Sequence, residues 1–257
     1  MRKTADWGGN IIALVLVLVV NTLSNALPIN GQTMAEISDG YPSLFTPAGF
    51  TFSIWGLIYL ALIGFAIYQA LPGQRNNAEL ARIGGWFKAN CAANALWIVV
   101  WHYHLLWLSV AVMACILITL IAIYRSLGII NHARPGRERW LLQFPFGLYC
   151  GWIAVATIAN LSALQTGMGW DNAGLDAVTW TQLKLALAGA IGASVLLRRG
   201  DVVFILVVAW AAFGISVKHA DTAAVSGAAS MLWMCCLCLA ALEGIRRWRS
   251  RRLALKF

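Results

Sequence analysis

The sequence predicts an all-α integral membrane protein, and three observations carry that reading. Hydrophobic residues make up 60% of the 257 and charged ones only 11%, with a mean hydropathy of +0.73, far from the composition of soluble domains. The apolar residues gather into eight runs, at 10–27, 50–71, 84–101, 105–125, 139–163, 180–197, 202–217 and 223–246. Each is about as long as a bilayer core is thick, roughly 20 residues. No run alternates apolar with polar residues as a barrel strand would, so helices, which satisfy their own backbone hydrogen bonds, are the spanning elements.

The first run follows Arg2 and Lys3 and resembles a secretory signal peptide, with Ser24-Asn25-Ala26 as a conceivable cleavage site. Removing it would take one cytoplasmic end from a consistent charge alternation, so an uncleaved helix is the better reading. Arg75, Arg82 and Lys88 follow the second run, and Arg125, Arg134, Arg137 and Arg139 the fourth. Arg198 and Arg199 follow the sixth; Arg246, Arg247, Arg249, Arg251, Arg252 and Lys256 close the chain. The alternate loops hold only Lys218, with Lys184 just inside the sixth run. Seventeen of the 19 Lys and Arg thus share one side, which puts both termini in the cytoplasm, the arrangement of a bacterial inner membrane protein. The net charge of +9 encodes topology and contact with anionic headgroups rather than nucleic-acid binding.

Two outer loops break the pattern of short connections. Residues 28–49 hold Pro28, Pro42 and Pro47 and no Lys or Arg. Loops longer than about 12–15 residues are mostly functional or disordered, and the apolar Leu44 and Phe45 argue against a solvated tail. This segment reads as a partly structured lid over the outer helix ends, with a plain linker as the bland alternative. The second, 165–180, carries Asp171 and Asp176 between Trp170 and Trp180, placed as interfacial anchors. It divides a five-run segment, 1–165, from a three-run extension with a basic tail, 166–257. The absence of a convincing internal repeat weakens an inverted-repeat transporter reading.

Reactive groups are sparse. Proton-coupled pumps keep carboxylates within their spans, whereas here Glu243 sits at the end of the last run, beside the basic tail. Lys184 is shallow enough to snorkel to the interface, and a Schiff-base lysine would want a facing carboxylate. His102 and His104 are two apart and would diverge on a helix; His132 and His219 fall in loops. Cys91, Cys115, Cys150, Cys235, Cys236 and Cys238 all lie within runs, so no disulfide framework is implied, and "CCLC" has no His or carboxylate neighbours. No HExxH, nucleophile elbow or phosphate-cradling loop is present. No catalytic residue, metal ligand or required cofactor is predicted.

What stands out is aromatic. Phe50 opens the second run, and Phe52, Trp55 and Tyr59 follow at spacings of three and four, which stack on one helix face. Asn90, Asn94, Trp97 and Trp101 make a second stripe, and Tyr149, Trp152, Ala156 and Asn160 a third. Amides in hydrocarbon need partners, so the asparagines face the bundle interior, either as helix glue or as pocket groups. Rings interleaved with a few hydrogen-bonding groups suit a flat, largely apolar ligand.

These motifs resemble the translocator protein family, also called TspO or tryptophan-rich sensory proteins. "PAGFTFSIWGLIYLALIGFAIY" is similar to the family's second helix, with Trp55 and Tyr59 as its W-x-x-x-Y pair. Asn90, Asn94 and Trp97 match the third-helix pattern, and Tyr149, Trp152, Ala154, Ala156, Thr157 and Asn160 the fifth. The resemblance covers roughly 8–165 and implies a TspO-like five-helix bundle whose first loop closes a ligand pocket, with about three additional C-terminal helices, eight in total. It implies binding of porphyrins such as protoporphyrin IX, and an association of Trp55 and Trp152 with light-dependent porphyrin breakdown. The chain departs from the family at Ile98 and Val99, where a double proline is usual, at Ala111, near a common aspartate, and at Leu148, a proline elsewhere. "LSALQTG" has no Tyr and no basic residue, so a sterol is not expected.

The expected function is binding of a flat hydrophobic ligand, a tetrapyrrole such as protoporphyrin IX or a haem-like porphyrin, in a sensory or regulatory role. The expected ligand-binding residues are Phe50, Phe52, Trp55, Tyr59, Asn90, Asn94, Trp97, Tyr149, Trp152 and Asn160. The alternative is a transporter or permease for a small apolar or amphipathic metabolite. The small-residue stretch with Gly189 and Gly192 discriminates: facing a second copy it would make a homodimer, facing a central cavity it would favour transport. The expected partners are the ligand and the lipid bilayer, without nucleic acid.

Overall fold

The computed structural model describes residues 2–27, 29–129, 136–170 and 172–254; Pro28, His132, Arg134, Asp171 and Lys256 lie outside them. Nine α-helices lie among the described residues: α1 (Thr4–Ala26), the short α2 (Met34–Asp39), α3 (Ile54–Ala70), α4 (Ala78–His102), α5 (Leu106–Ser126), α6 (Phe144–Gly167), α7 (Ala177–Arg199), α8 (Val202–Lys218) and α9 (Ala223–Ala254). Six are long and apolar enough to cross a membrane: α1, α3 with the 3-10 turn before it, α5, α6 with its leading turn, α7 and α9. The apolar α8 is shorter, at 17 residues. The eight sequence runs thus correspond to the eight long helices, and α2 is a ninth inside the first outer loop.

Local chemistry sets the helix ends. The Asn77 side chain accepts from the Glu79 and Leu80 amides to start α4, and Asp176 caps α7 through Thr179. Asp201 caps α8 through Val203 and Phe204. Between α7 and α8, Gly200 takes φ +66°, a left-handed C-cap that side chains with a Cβ resist, and the Arg247 guanidinium donates to its carbonyl. A π-turn over Arg139–Gln143 leads into α6, where Pro145 has no amide to give the ladder.

Packing follows chain order and then folds back. α1 lies against α3 and α4, α4 against α5, α5 against α6, and α6 against α3; α8 then docks on α6, with α7 and α9 packed on α8 and on each other. One continuous apolar core runs through both segments, from Phe65, Phe87 and Phe146 to Ile205, Val208 and Ile215. The Phe65 ring centroid lies 5.1 Å from that of Phe87 and 4.9 Å from that of Phe146. Large side chains such as Ile12, Leu60 and Leu197 point outward, where lipid tails would meet them.

The interhelical bonds sort the loops into two ends. At one, the Arg2 amide donates to the Arg75 carbonyl, Arg82 to the Ser126 carbonyl and Tyr124 to Asp201. At the other, Asn30 donates to the His102 carbonyl, Thr166 to the Pro42 carbonyl and Gln182 to the Ala224 carbonyl. The clustered arginines belong to the first end and Lys218 to the second. The Arg2 side chain is itself buried, bonded to Asp6 at 2.6 Å and to Gln69 at 3.0 Å, so the start of α1 is built into the bundle.

Gly189 and Gly192 face neither a central cavity nor the outside. A Cβ on Gly189 would meet Leu232 of α9, and one on Gly192 would meet Val208 of α8. The small residues let α7 approach its own chain closely. Lys184 of α7 donates to Gln165 of α6 at 2.6 Å, and Trp170 and Trp180 pair across the outer loop with centroids 5.1 Å apart.

Candidate functional site

The end of the bundle that carries Lys218 holds a cavity of about 360 Å³, and its mouth is shaped by the turn between the lid and α3. That turn is a 3-10 helix over Gly49–Ser53, which sends neighbouring aromatic rings in different directions. Phe52 lines the cavity; Phe50 points away and packs edge-on against Trp210 and Phe213 of α8, at 5.5 and 5.9 Å. α8 also holds the turn by its backbone. The Ala48 amide donates to the Gly214 carbonyl at 3.0 Å, and the Trp210 indole to the Thr51 carbonyl at 2.9 Å.

Three helices supply the rings. Trp55 and Tyr59 of α3 stack at 5.3 Å with planes 26° apart. Trp97 and Trp101 of α4 stack at 5.4 Å and 15°. Trp152 of α6 stands nearly perpendicular to Phe52 and Trp55, at 5.9 and 6.4 Å. Four-residue steps bring the α3 and α4 pairs into register, and the small Ala156, Ala159 and Ala163 keep the α6 wall flat. Asn160 is the polar residue on that wall. Its amide nitrogen donates to Ser109 at 3.0 Å, and its oxygen accepts from the Trp97 indole at 3.4 Å. Trp152 is 3% exposed, and its indole N–H finds no acceptor among the described residues.

The lid covers the cavity from outside. Thr33 and Glu36 form a capping box that starts α2. Ile37 and Phe45, both fully buried, anchor the lid, Ile37 against Trp101 and Ala163 and Phe45 in the main core. Met34, Ser38, Thr46 and Pro47 turn toward the cavity. The far end of α4 also holds the lid: His104, with φ +55°, bonds Tyr41 at 2.8 Å and Gln32 at 2.7 Å. Neighbouring His102 bonds the Ile98 carbonyl of its own helix at 2.7 Å. The glutamate of the capping box holds its carboxyl below the usual range, because the Thr33 amide and hydroxyl both donate to it.

Of the ten residues singled out by sequence, Phe52, Trp55, Tyr59, Trp97, Trp152 and Asn160 line this cavity. Four do not. Phe50 is spent on α8. Asn90 donates to the Ile116 carbonyl and to Thr119 of α5, while Asn94 donates to the Tyr149 hydroxyl at 2.6 Å. Helical rise explains the asparagines: Asn90 lies seven residues, about 10 Å, along α4 from Trp97, and there it and Asn94 join helices instead of lining the cavity. Asn21 and Thr22 of α1 and Met113 of α5 also line the cavity and were not singled out. Asn21 carried a signal, an amide within an apolar run; lid residues such as Met34 and Ser38 have no periodicity to betray them.

The sequence profile of the TSPO-like protein family matches residues 7–242. The chain belongs to this family. The match takes in α7, α8 and α9 as far as Leu242, beyond the 8–165 that the helix motifs covered, so the profile spans the helices that hold the mouth of the cavity. No curated protein and no solved structure matches the chain. In this TSPO-like protein, an integral membrane bundle, the side chains themselves describe the site: a ring-walled cavity under an anchored lid.

Proposed function

We propose that this TSPO-like protein binds a flat hydrophobic molecule, with a tetrapyrrole as the leading candidate, in the cavity beneath the lid, and that occupancy serves a sensory or regulatory role. The observation that carries the reading is the Trp152 indole donor, buried in an apolar wall with no acceptor among the described residues. An unmade hydrogen bond of this kind costs about 1–3 kcal/mol, which a ligand nitrogen or oxygen would offset. The stacked pairs Trp55–Tyr59 and Trp97–Trp101 supply faces for a planar ring system, and lid closure would couple occupancy to conformation. A volume of about 360 Å³ lies near the lower end of the roughly 300–1,000 Å³ of ligand pockets. A macrocycle would therefore need the lid to lift or further space beside the cavity. The same reading sets both termini on the cytoplasmic side of a bacterial inner membrane, supported by the arginine-rich end of the bundle; terminal reporter fusions active only in the periplasm would overturn that orientation.

The test is a titration of the detergent-purified protein with protoporphyrin IX, followed by quenching of Trp fluorescence, beside a Trp55→Leu/Trp152→Leu variant. Saturable quenching lost in the folded variant supports the proposal. Equal, non-saturating quenching in both proteins means partitioning into the micelle and overturns it.

A further inference from the structure

A second cavity, of about 210 Å³, lies beside the first, between the lid and the end of α8. Asp39, Pro42 and Ser43 line it from the lid, and Lys218 and His219 from α8. Ser38 and Thr46 belong to the walls of both cavities, so the ring-lined space and the one that holds Lys218 share a wall bearing two small hydroxyl side chains. The outer side of the bundle is otherwise poor in cations, holding two of the 19 Lys and Arg, and the other, Lys184, is engaged with Gln165.

The chemistry of this second cavity differs from that of the first. Lys218 pairs with Asp39 at 3.0 Å, with the Asp39 side chain 69% exposed and that of Lys218 32%. An exposed pair of this kind is held weakly, so the partly exposed ammonium can exchange Asp39 for another carboxylate. His219 donates from Nε2 to the Thr46 carbonyl at 3.1 Å, fixing the segment that divides the cavities. Hydroxyls of Ser38, Ser43 and Thr46 supply further donors.

We propose that this second cavity is the carboxylate subsite for the ligand of the first: the ring system lies among Trp55, Trp97 and Trp152, and an acidic arm passes Ser38 and Thr46 to reach Lys218. The ligand class is then an amphipathic aromatic acid rather than a neutral aromatic. This rests on the reading of the main cavity as a ligand pocket and narrows it. It also supplies the space that a macrocycle lacks under the closed lid, and assigns the C-terminal helices a direct part in specificity.

The experiment compares protoporphyrin IX, which carries two carboxylates, with its dimethyl ester, by Trp quenching on the full-length wild type, Lys218→Met and Asp39→Asn. In the wild type the diacid binds more tightly than the ester. Lys218→Met weakens the diacid roughly tenfold, the scale of one charge-assisted hydrogen bond, and leaves the ester unchanged. Asp39→Asn, which frees Lys218 at an exposed position, tightens the diacid and not the ester. Saturable binding in the wild type with equal effects of either variant on both probes overturns the subsite, since it reports a lid contact, and leaves the pocket reading standing. Failure of Asp39→Asn to tighten the diacid likewise overturns it, even where Lys218→Met does not fold. No saturable binding of either probe to the wild type removes the pocket and the subsite together.

Discussion

The indole N–H of Trp210, on α8, donates to the backbone carbonyl of Thr51 at 2.9 Å, so a C-terminal helix holds the turn from which Phe52 and Trp55 enter the ring-walled cavity. Trp210→Phe keeps most of the ring and removes the donor. It should cost about 1–3 kcal/mol for the stranded carbonyl, seen as a lower melting temperature in detergent and faster amide exchange over residues 48–53. Unchanged exchange there would mean that apolar packing alone fixes the turn.

Gly214 sits where α8 crosses the same turn: a Cβ there would overlap the Thr51 hydroxyl and lie 3.1 Å from the Pro47 Cβ. Gly214→Ala should force the turn outward, destabilise by about 1–3 kcal/mol and weaken protoporphyrin IX quenching. Gly227→Ala is the matched control on α9, with nothing within 4 Å of the added carbon, and should stabilise by up to about 1 kcal/mol through helix propensity. Equal effects of the two substitutions would remove the special role of the crossing.

Asp201 links the two segments at the arginine-rich end. It caps α8, accepts from Tyr124 of α5 at 2.7 Å, and lies against Gly147 of α6, where a Cβ would come 2.7 Å from its carboxylate. Burial raises its pKa above the ordinary carboxylate value, with the Tyr124 and backbone bonds opposing. A raised folded pKa contributes stability that is complete below the unfolded value, about 3.9, and is lost as pH rises through the folded value. Asp201→Asn keeps a capping oxygen and a partner for the Tyr124 hydroxyl without the charge. It should therefore melt at or above the wild-type temperature near pH 8, with the advantage fading toward about pH 4. Asp201→Ala should lose about 1 kcal/mol of capping at either pH. An asparagine variant less stable than wild type at pH 8 would show that the charge itself is needed.

The capping box of α2 makes the lid acid-sensitive. Glu36 has its pKa lowered by bonds from Thr33, so its contribution is present above the unfolded value and is lost as pH falls through the folded one. Glu36→Gln and Thr33→Ala should each make the lid more susceptible to proteolysis between Thr33 and Tyr41 at neutral pH, as acid does for the wild type. Protection equal to wild type in both variants would assign the lid's order to Ile37 and Phe45 alone.

Much of this architecture was legible in the sequence, because a bilayer makes helices announce themselves. Apolar runs of bilayer length gave the eight long helices, and the alternation of arginines gave loops that the structure gathers at two ends. Within the site, four-residue spacing was enough to bring Trp55 onto Tyr59 and Trp97 onto Trp101. The limits are equally physical. Spacing shows which residues share a face but not how deep each lies, so Asn90 and Asn94 could not be told from Asn160 until Thr119 and Tyr149 were seen to take them. Phe50 falls outside the cavity lining for a different reason: a 3-10 turn does not follow the α-helical period. The bond from Trp210 to Thr51 had no local signature at all, since it joins residues far apart in sequence.

That separation sets a clock. Trp210 follows Thr51 by 159 residues, and at about 5–20 residues per second of synthesis the second arrives roughly 8–30 s after the first. Until then the turn at the mouth lacks its bond from α8. If the proposed binding holds, a ligand present in the membrane during translation would meet a turn not yet held by α8, whereas one added to the finished protein would meet a held one. Loading during biogenesis and loading afterwards would then be separate routes with separate rates.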